Sequence, residues 1–232
     1  GILFPWTKSE SERDQMMNSV APFWDGNETW LVLGGGGLLA AFPLAYAVLM
    51  PAAYIPVILM LMGLIFRGVA FEFRWIARTS KPYWNFAFAA GSTLAAFSQG
   101  VILGTLVQGI KVENGAYAGG PFDWATPFSF VCGLAVVAGY ALLGATWLLI
   151  KTEGSVARLA REHAKYLFGA VVIFMAIVSL WTAFGFPRIA ERWFSLPNFW
   201  FFSPVPIVTA IVVLTGWRAL ANPNRDVLPF LC

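Results

Sequence analysis

Long apolar runs dominate the chain, and the polar residues fall in short clusters between them. Six runs are long enough for a bilayer-crossing helix of about 20 residues: roughly 28–49, 52–73, 84–109, 127–150, 164–186 and 202–221. The runs are much longer than the roughly 10 alternating residues of a membrane barrel strand, so strands are not expected. The pattern predicts an all-α, polytopic transmembrane helical bundle with six spans. It predicts a cytoplasmic amphipathic segment and loop over 1–27, the bundle over 28–221, and a cytoplasmic loop opening a further span over 222–232.

Composition agrees with the pattern. Hydrophobic residues make up 59% of the 232 and charged residues only 12%, about half of the roughly 25% charged content of soluble domains. So few charges could not cover a water-soluble domain of this size, which excludes a cytosolic enzyme, a disordered chain and a nucleic-acid module. The chain opens at Gly1 without a signal-peptide pattern and closes on an apolar stretch at Leu228–Cys232, so it is expected to be an internal piece of a longer protein.

The charges that remain give an orientation. Twelve of the 15 basic residues fall on one side: Lys8, Arg13, Arg67, Arg74, Arg78, Lys81, Lys151, Arg158, Arg161, Lys165, Arg218 and Arg225. Lys111, Arg188 and Arg192 fall on the other. Positive charge marks the cytoplasmic side, which puts 1–27, 74–83, 151–163 and 218–226 in the cytoplasm and the Gly115–Trp124 loop outside. Trp75, Tyr83, Trp84, Trp124, Trp193 and Trp200 stand where interfacial aromatic residues belong.

Ionisable groups at membrane depth are costly and so draw attention. Asp25 and Glu28 stand where the first run begins; Arg67 and Glu72 stand near the cytoplasmic end of the second. As ordinary structure, Asp25 or Asn27 would be a helix N-cap and Glu28 would face the helix dipole. As chemistry, Asp25 would be a proton entry carboxylate whose pKa rises on apolar burial. Arg67 and Glu72, five residues apart, do not align as a helical pair, so each should find a partner on another helix or snorkel to water. Gly34, Gly35, Gly36 and Gly37 suit close helix packing or a flat contact with a quinone or lipid, and Pro43 should kink that helix. His163 is the single histidine, so this chain cannot supply two histidines to a heme. Cys132 and Cys232 form no metal or disulfide motif, and no metal site is expected.

The stretch Met17–Leu31, with its Ala-Pro-Phe-Trp-Asp-Gly-Asn-Glu-Thr-Trp-Leu core, strongly resembles the second subunit of bacterial cytochrome bd quinol oxidases, a family that includes a cyanide-insensitive subtype. Phe66–Arg74 is similar to the motif that ends the family's next helix, and Leu103–Gly109 and Gly144–Thr146 look like later landmarks. The resemblance implies nine helices in the full subunit, of which this chain would hold the second to the seventh. It implies no cofactor in this chain, hemes b and d in the partner subunit I, and quinol as substrate of the complex. The further partners it implies are a small single-helix accessory subunit and membrane lipid. It also implies a role for Asp25 in a cytoplasmic proton path, with Trp24, Asn27, Glu28, Arg67 and Glu72 as candidates beside it, within a proton-moving respiratory enzyme of the inner membrane. Two rival readings of the residues remain open: a secondary transporter using Arg67 and Glu72, and a scaffold subunit without a proton role.

Overall fold

The computed structural model describes residues 1–7, 9–222 and 226–232. Lys8 and Arg225, two of the basic residues assigned to the cytoplasm, lie outside the described residues. The chain divides into two compact units, Gly1–Val137 and Ala138–Cys232.

The first unit opens with a 3-10 turn over Phe4–Trp6 and the helix α1 (Glu10–Val20). Ser9 caps α1: its hydroxyl accepts from the Glu12 N–H while the Glu12 carboxylate accepts from the Ser9 N–H. This reciprocal box uses two donors that a helix start otherwise leaves unpaired.

Next come α2 (Trp24–Ala41) and α3 (Pro43–Ala52), and here the structure corrects the sequence expectation. The 28–49 run is not one helix. Phe42 leaves the helical region at φ −134° and ψ 60°, its N–H closing α2 on Leu38 while its carbonyl accepts from Tyr46 in α3. Pro43 has no N–H to give and crowds the residue before it out of the α conformation, so the expected kink becomes a break. Among the described residues, five helical segments are therefore long and apolar enough to cross a membrane, against six expected.

The core of the first unit is the hairpin of α4 (Tyr54–Ile76) and α5 (Lys81–Gln108). Small residues on α5, among them Gly91, Ala95 and Ala96, bring the two backbones together. A side chain at Gly91 would stand 2.6 Å from the Gly63 carbonyl and 2.9 Å from the Arg67 nitrogen. Close backbone approach of this kind is how helices pack where water offers no hydrophobic drive. Beyond α5, Val112–Glu113 and Ala116–Tyr117 form an antiparallel hairpin, β1 and β2. Its turn is Asn114-Gly115, both at positive φ, the pairing a two-residue hairpin prefers. The expectation of no strands missed this turn signal.

In the other direction, the glycine run of α2 touches nothing. A side chain at Gly34, Gly35, Gly36 or Gly37 would meet no described atom within 4 Å, and α2 buries no residue. Close packing of these glycines, one of the two expectations, is not found among the described residues.

The helix α6 (Pro127–Lys151) runs from the first unit into the second. In the second unit, α7 (Gly154–Gly185) is 32 residues long, about 48 Å at 1.5 Å per residue against a hydrocarbon core of about 30 Å. The excess is its charged beginning, Arg158 to Lys165. The short α8 (Pro187–Phe194) follows, then α9 (Asn198–Phe202) and α10 (Pro204–Ala221), which together make the last crossing segment. A final turn, α11 (Leu228–Leu231), is tied back by Arg161 of α7, which bonds the Asn222 carbonyl and the Asp226 carboxylate.

Gly91→Val is expected to cost the isolated chain about 2–3 kcal/mol, because backbone rather than a flexible side chain occupies the space. Gly34→Ala should be neutral or stabilising by up to about 1 kcal/mol, since it meets nothing and improves helix propensity. Thermal unfolding in detergent measures both.

Candidate functional site at the start of the first long helix

Two side-chain contacts, one turn apart, join the start of α2 to α4. The Trp24 ring stacks on Phe71 with centroids 4.9 Å apart. One turn on, the Glu28 carboxylate accepts from the Arg67 guanidinium at 2.6 Å, with both side chains about three-quarters buried. Residues four apart share a helix face, so Trp24 and Glu28 on α2 meet Phe71 and Arg67 on α4 in antiparallel order. The Trp24 ring also lies beside Gly68, where a Cβ would stand 3.5 Å from it, an ordinary van der Waals contact. The Arg67 backbone is itself seated against Gly91 of α5.

Arg67 thus finds its partner on another helix, as its spacing from Glu72 implied. Glu72 is exposed and forms no ion pair with another described residue. The N-cap expectation for Asp25 and Asn27 is overturned: α2 starts at Trp24, its N-cap position is Phe23, and no side chain caps it. Asp25 lies in the first turn instead, where a carboxylate complements the helix dipole. Glu28 lies past that turn, and the Arg67 guanidinium, not the dipole, is its partner. Asp25 and Asn27 are both exposed, so the apolar burial expected around Asp25 is not present within this chain. The Asp25 side chain makes no bond to another described residue; its carbonyl accepts from the Thr29 hydroxyl at 3.1 Å.

A second cluster, which the sequence reading missed, surrounds Arg74. Its side chain is fully buried at the end of α4, and every guanidinium nitrogen is used. Nε donates to the Asn85 amide oxygen at 2.5 Å, Nη1 to Asp14 at 2.5 Å and Nη2 to Glu10 at 2.7 Å. The Phe4 and Trp75 rings flank it at 5.3 and 5.6 Å. Burying an unpaired cation costs several kcal/mol; four elements therefore converge on Arg74 and cannot move independently. The two clusters are linked by rings in contact: Phe4 on Phe88, Phe88 on Phe71, and Phe71 on Trp24. No local signal marks the cluster, because Asn85, Asp14 and Glu10 lie 11, 60 and 64 residues from Arg74 in sequence.

Glu10 is pulled two ways. Partial burial raises its pKa, but the Arg13 hydrogen bond and charge, with Asn85 and Arg74, outweigh this and hold it below its ordinary value of 4.5.

A third polar group stands beyond α5, around a cavity of about 320 Å³ lined by Thr105, Gln108, Lys111, Tyr117 and Asp123 among others. The Tyr117 hydroxyl donates to the Gly120 carbonyl at 2.6 Å, and burial, then the Asp123 charge, push the phenol above its usual range. His163 is half-buried, its Nδ1 2.8 Å from the Leu159 carbonyl. Among the described residues no three His, Cys, Asp or Glu side chains converge as a metal site would require.

Comparison with known proteins places these features in a family context. The family model described as cytochrome bd terminal oxidase subunit II matches residues 1–232. The chain is 34% identical over 180 residues to the probable cytochrome oxidase subunit 2 of Haemophilus influenzae, an alignment covering 74% of this chain and 47% of that protein. It is 31% identical over 185 residues to the cytochrome bd-I ubiquinol oxidase subunit 2 of Escherichia coli K12, covering 77% and 49%. Against the cytochrome bd ubiquinol oxidase subunit 2 of Bacillus subtilis it is 33% identical over 174 residues, covering 74% and 51%. The chain spans about half the length of the curated relatives it matches.

Arg74→Gln should lower stability by about 2–3 kcal/mol, the scale of lost charged hydrogen bonds around partly exposed carboxylates. A carboxylate with a lowered folded-state pKa stabilises fully above its unfolded value and loses that contribution as pH falls through the folded one. Glu10→Gln should therefore flatten the acid side of the stability profile below about pH 4.5 and leave the slope at neutral pH unchanged. Thermal unfolding across pH measures both effects.

Proposed function

Because the chain belongs to the cytochrome bd terminal oxidase subunit II family, we propose that it works as the heme-free membrane subunit of a quinol:dioxygen oxidoreductase. In this reading it stabilises the heme-bearing subunit I and supplies part of a proton path from the cytoplasm. The complex sits in the bacterial inner membrane, with 1–27, 74–83, 151–163 and 218–226 on the cytoplasmic side. Hemes b and d and the oxidation of quinol belong to subunit I; a bis-histidine heme needs two ligands and this chain has His163 alone. A small accessory helix and lipid complete the assembly.

The observation that carries the reading is the pinned start of α2. Trp24 and Glu28 are held on α4, while Asp25, between them in sequence, stays exposed and free of bonds to described residues. A carboxylate that transfers protons must change charge without breaking a structural bond, and Asp25 meets that requirement where Glu28 does not. The open glycine face that follows it on α2 leaves room for subunit I, whose approach would cover Asp25. Water at the boundary would protonate Asp25, and the proton would pass on toward the partner. Arg67 and Trp24 act as positioning residues for this turn of helix.

The test is Asp25→Asn in the intact oxidase. Quinol-driven oxygen consumption is expected to fall about a hundredfold, at the modest end of what one proton-transfer group contributes, with the heme optical spectrum unchanged. Wild-type turnover and proton uptake would leave the scaffold reading instead.

A further inference from the structure

The segment 186–197 lies between two crossing helices, α7 ending at Gly185 and the last span starting at Asn198. It is therefore at a membrane boundary. Its eight-residue helix α8 is about 12 Å long, too short to cross. At 100° per residue, Arg188, Glu191 and Arg192 fall within an arc of about 100°, while Ile189, Ala190, Trp193 and Phe194 occupy the other side. A helix so divided lies in the plane of the interface, apolar side toward the acyl chains.

The two arginines are one turn apart, exposed, and form no ion pair with another described residue. They are also two of the three basic residues on the side that the charge count leaves poor in cations. The surface beside them is apolar and uncovered within this chain: Phe194 is 63% exposed, Leu196 75% and Trp200 70%. Two exposed arginines one turn apart, beside exposed apolar side chains, match a ligand with a phosphate head and an apolar tail. The Asn198 amide, donating to the Arg192 carbonyl at 3.1 Å, ties the end of α8 to the start of the next span and fixes the height of the pair.

We propose that α8 is a binding site for anionic phospholipid, with Arg188 and Arg192 holding the phosphate and the Phe194–Trp200 shelf packing on the acyl chains. Glu191 on the same face limits the attraction and so favours a headgroup held by the pair over diffuse charge attraction.

The intact oxidase in nanodiscs of phosphatidylcholine, carrying a trace of photoactivatable phosphatidylglycerol or photoactivatable phosphatidylcholine, tests this by mapping the labelled peptides. The phosphatidylglycerol probe should label 186–202 in preference to the phosphatidylcholine probe. R188Q/R192Q should reduce that labelling about twenty-five-fold, the product of roughly fivefold per cation near an anionic surface. R188K/R192K should retain most of it, and Glu191→Gln should raise it. An unchanged heme spectrum and elution volume show that each variant is assembled. Equal labelling by the two probes, unchanged labelling of the double glutamine variant, or cross-linking of this segment to a neighbouring polypeptide in place of lipid would overturn the proposal.

Discussion

The buried guanidinium of Arg74 sets the arrangement of the first unit. A cation with no exposure has to be matched by acceptors wherever the chain can bring them, and here they come from α1, through Glu10 and Asp14, and from α5, through Asn85. The contacting rings Phe4, Phe88, Phe71 and Trp24 carry that constraint along α4 and α5 to the start of α2. There the Glu28–Arg67 pair closes the arrangement one turn further on. Charges are scarce in this chain, and several of those around α4 hold helices that apolar packing in a bilayer would hold only weakly.

This division of labour gives the family membership a structural content. Arg67, Glu28 and Arg74 are engaged in holding the fold, and Asp25 is not. An exposed carboxylate without bonds to described residues stands beside ion-paired groups whose loss would loosen a helix. The glycine face of α2 is open as well, and the helix buries no residue against the described residues.

The all-α class and five of the six crossing segments were legible because apolar runs of more than 20 residues have few other solutions. The break at Phe42 was harder to see: Pro43 announced a disturbance, but only the backbone of Phe42 shows that it separates two helices. The Asn114-Gly115 turn was legible and was passed over beneath the strength of the helical signal. At the site, the spacing of Arg67 and Glu72 indicated partners elsewhere, yet nothing in one sequence names Glu28 as the one for Arg67. The Arg74 cluster stayed hidden for the same reason, because residues 10, 14, 74 and 85 become neighbours only after three helices have packed. The N-cap reading of Asp25 failed by position: α2 begins at Trp24, so its N-cap position is Phe23, two residues before Asp25.

The claim that Glu28 and Arg67 hold the start of α2 in its working position is tested most directly by exchanging their charges in the intact oxidase. Glu28→Arg alone and Arg67→Glu alone place like charges together and should each remove most of the quinol-driven oxygen consumption. The double exchange, Glu28→Arg with Arg67→Glu, restores the attraction and should recover a substantial part of it. A double variant no more active than the weaker single variant would contradict the account.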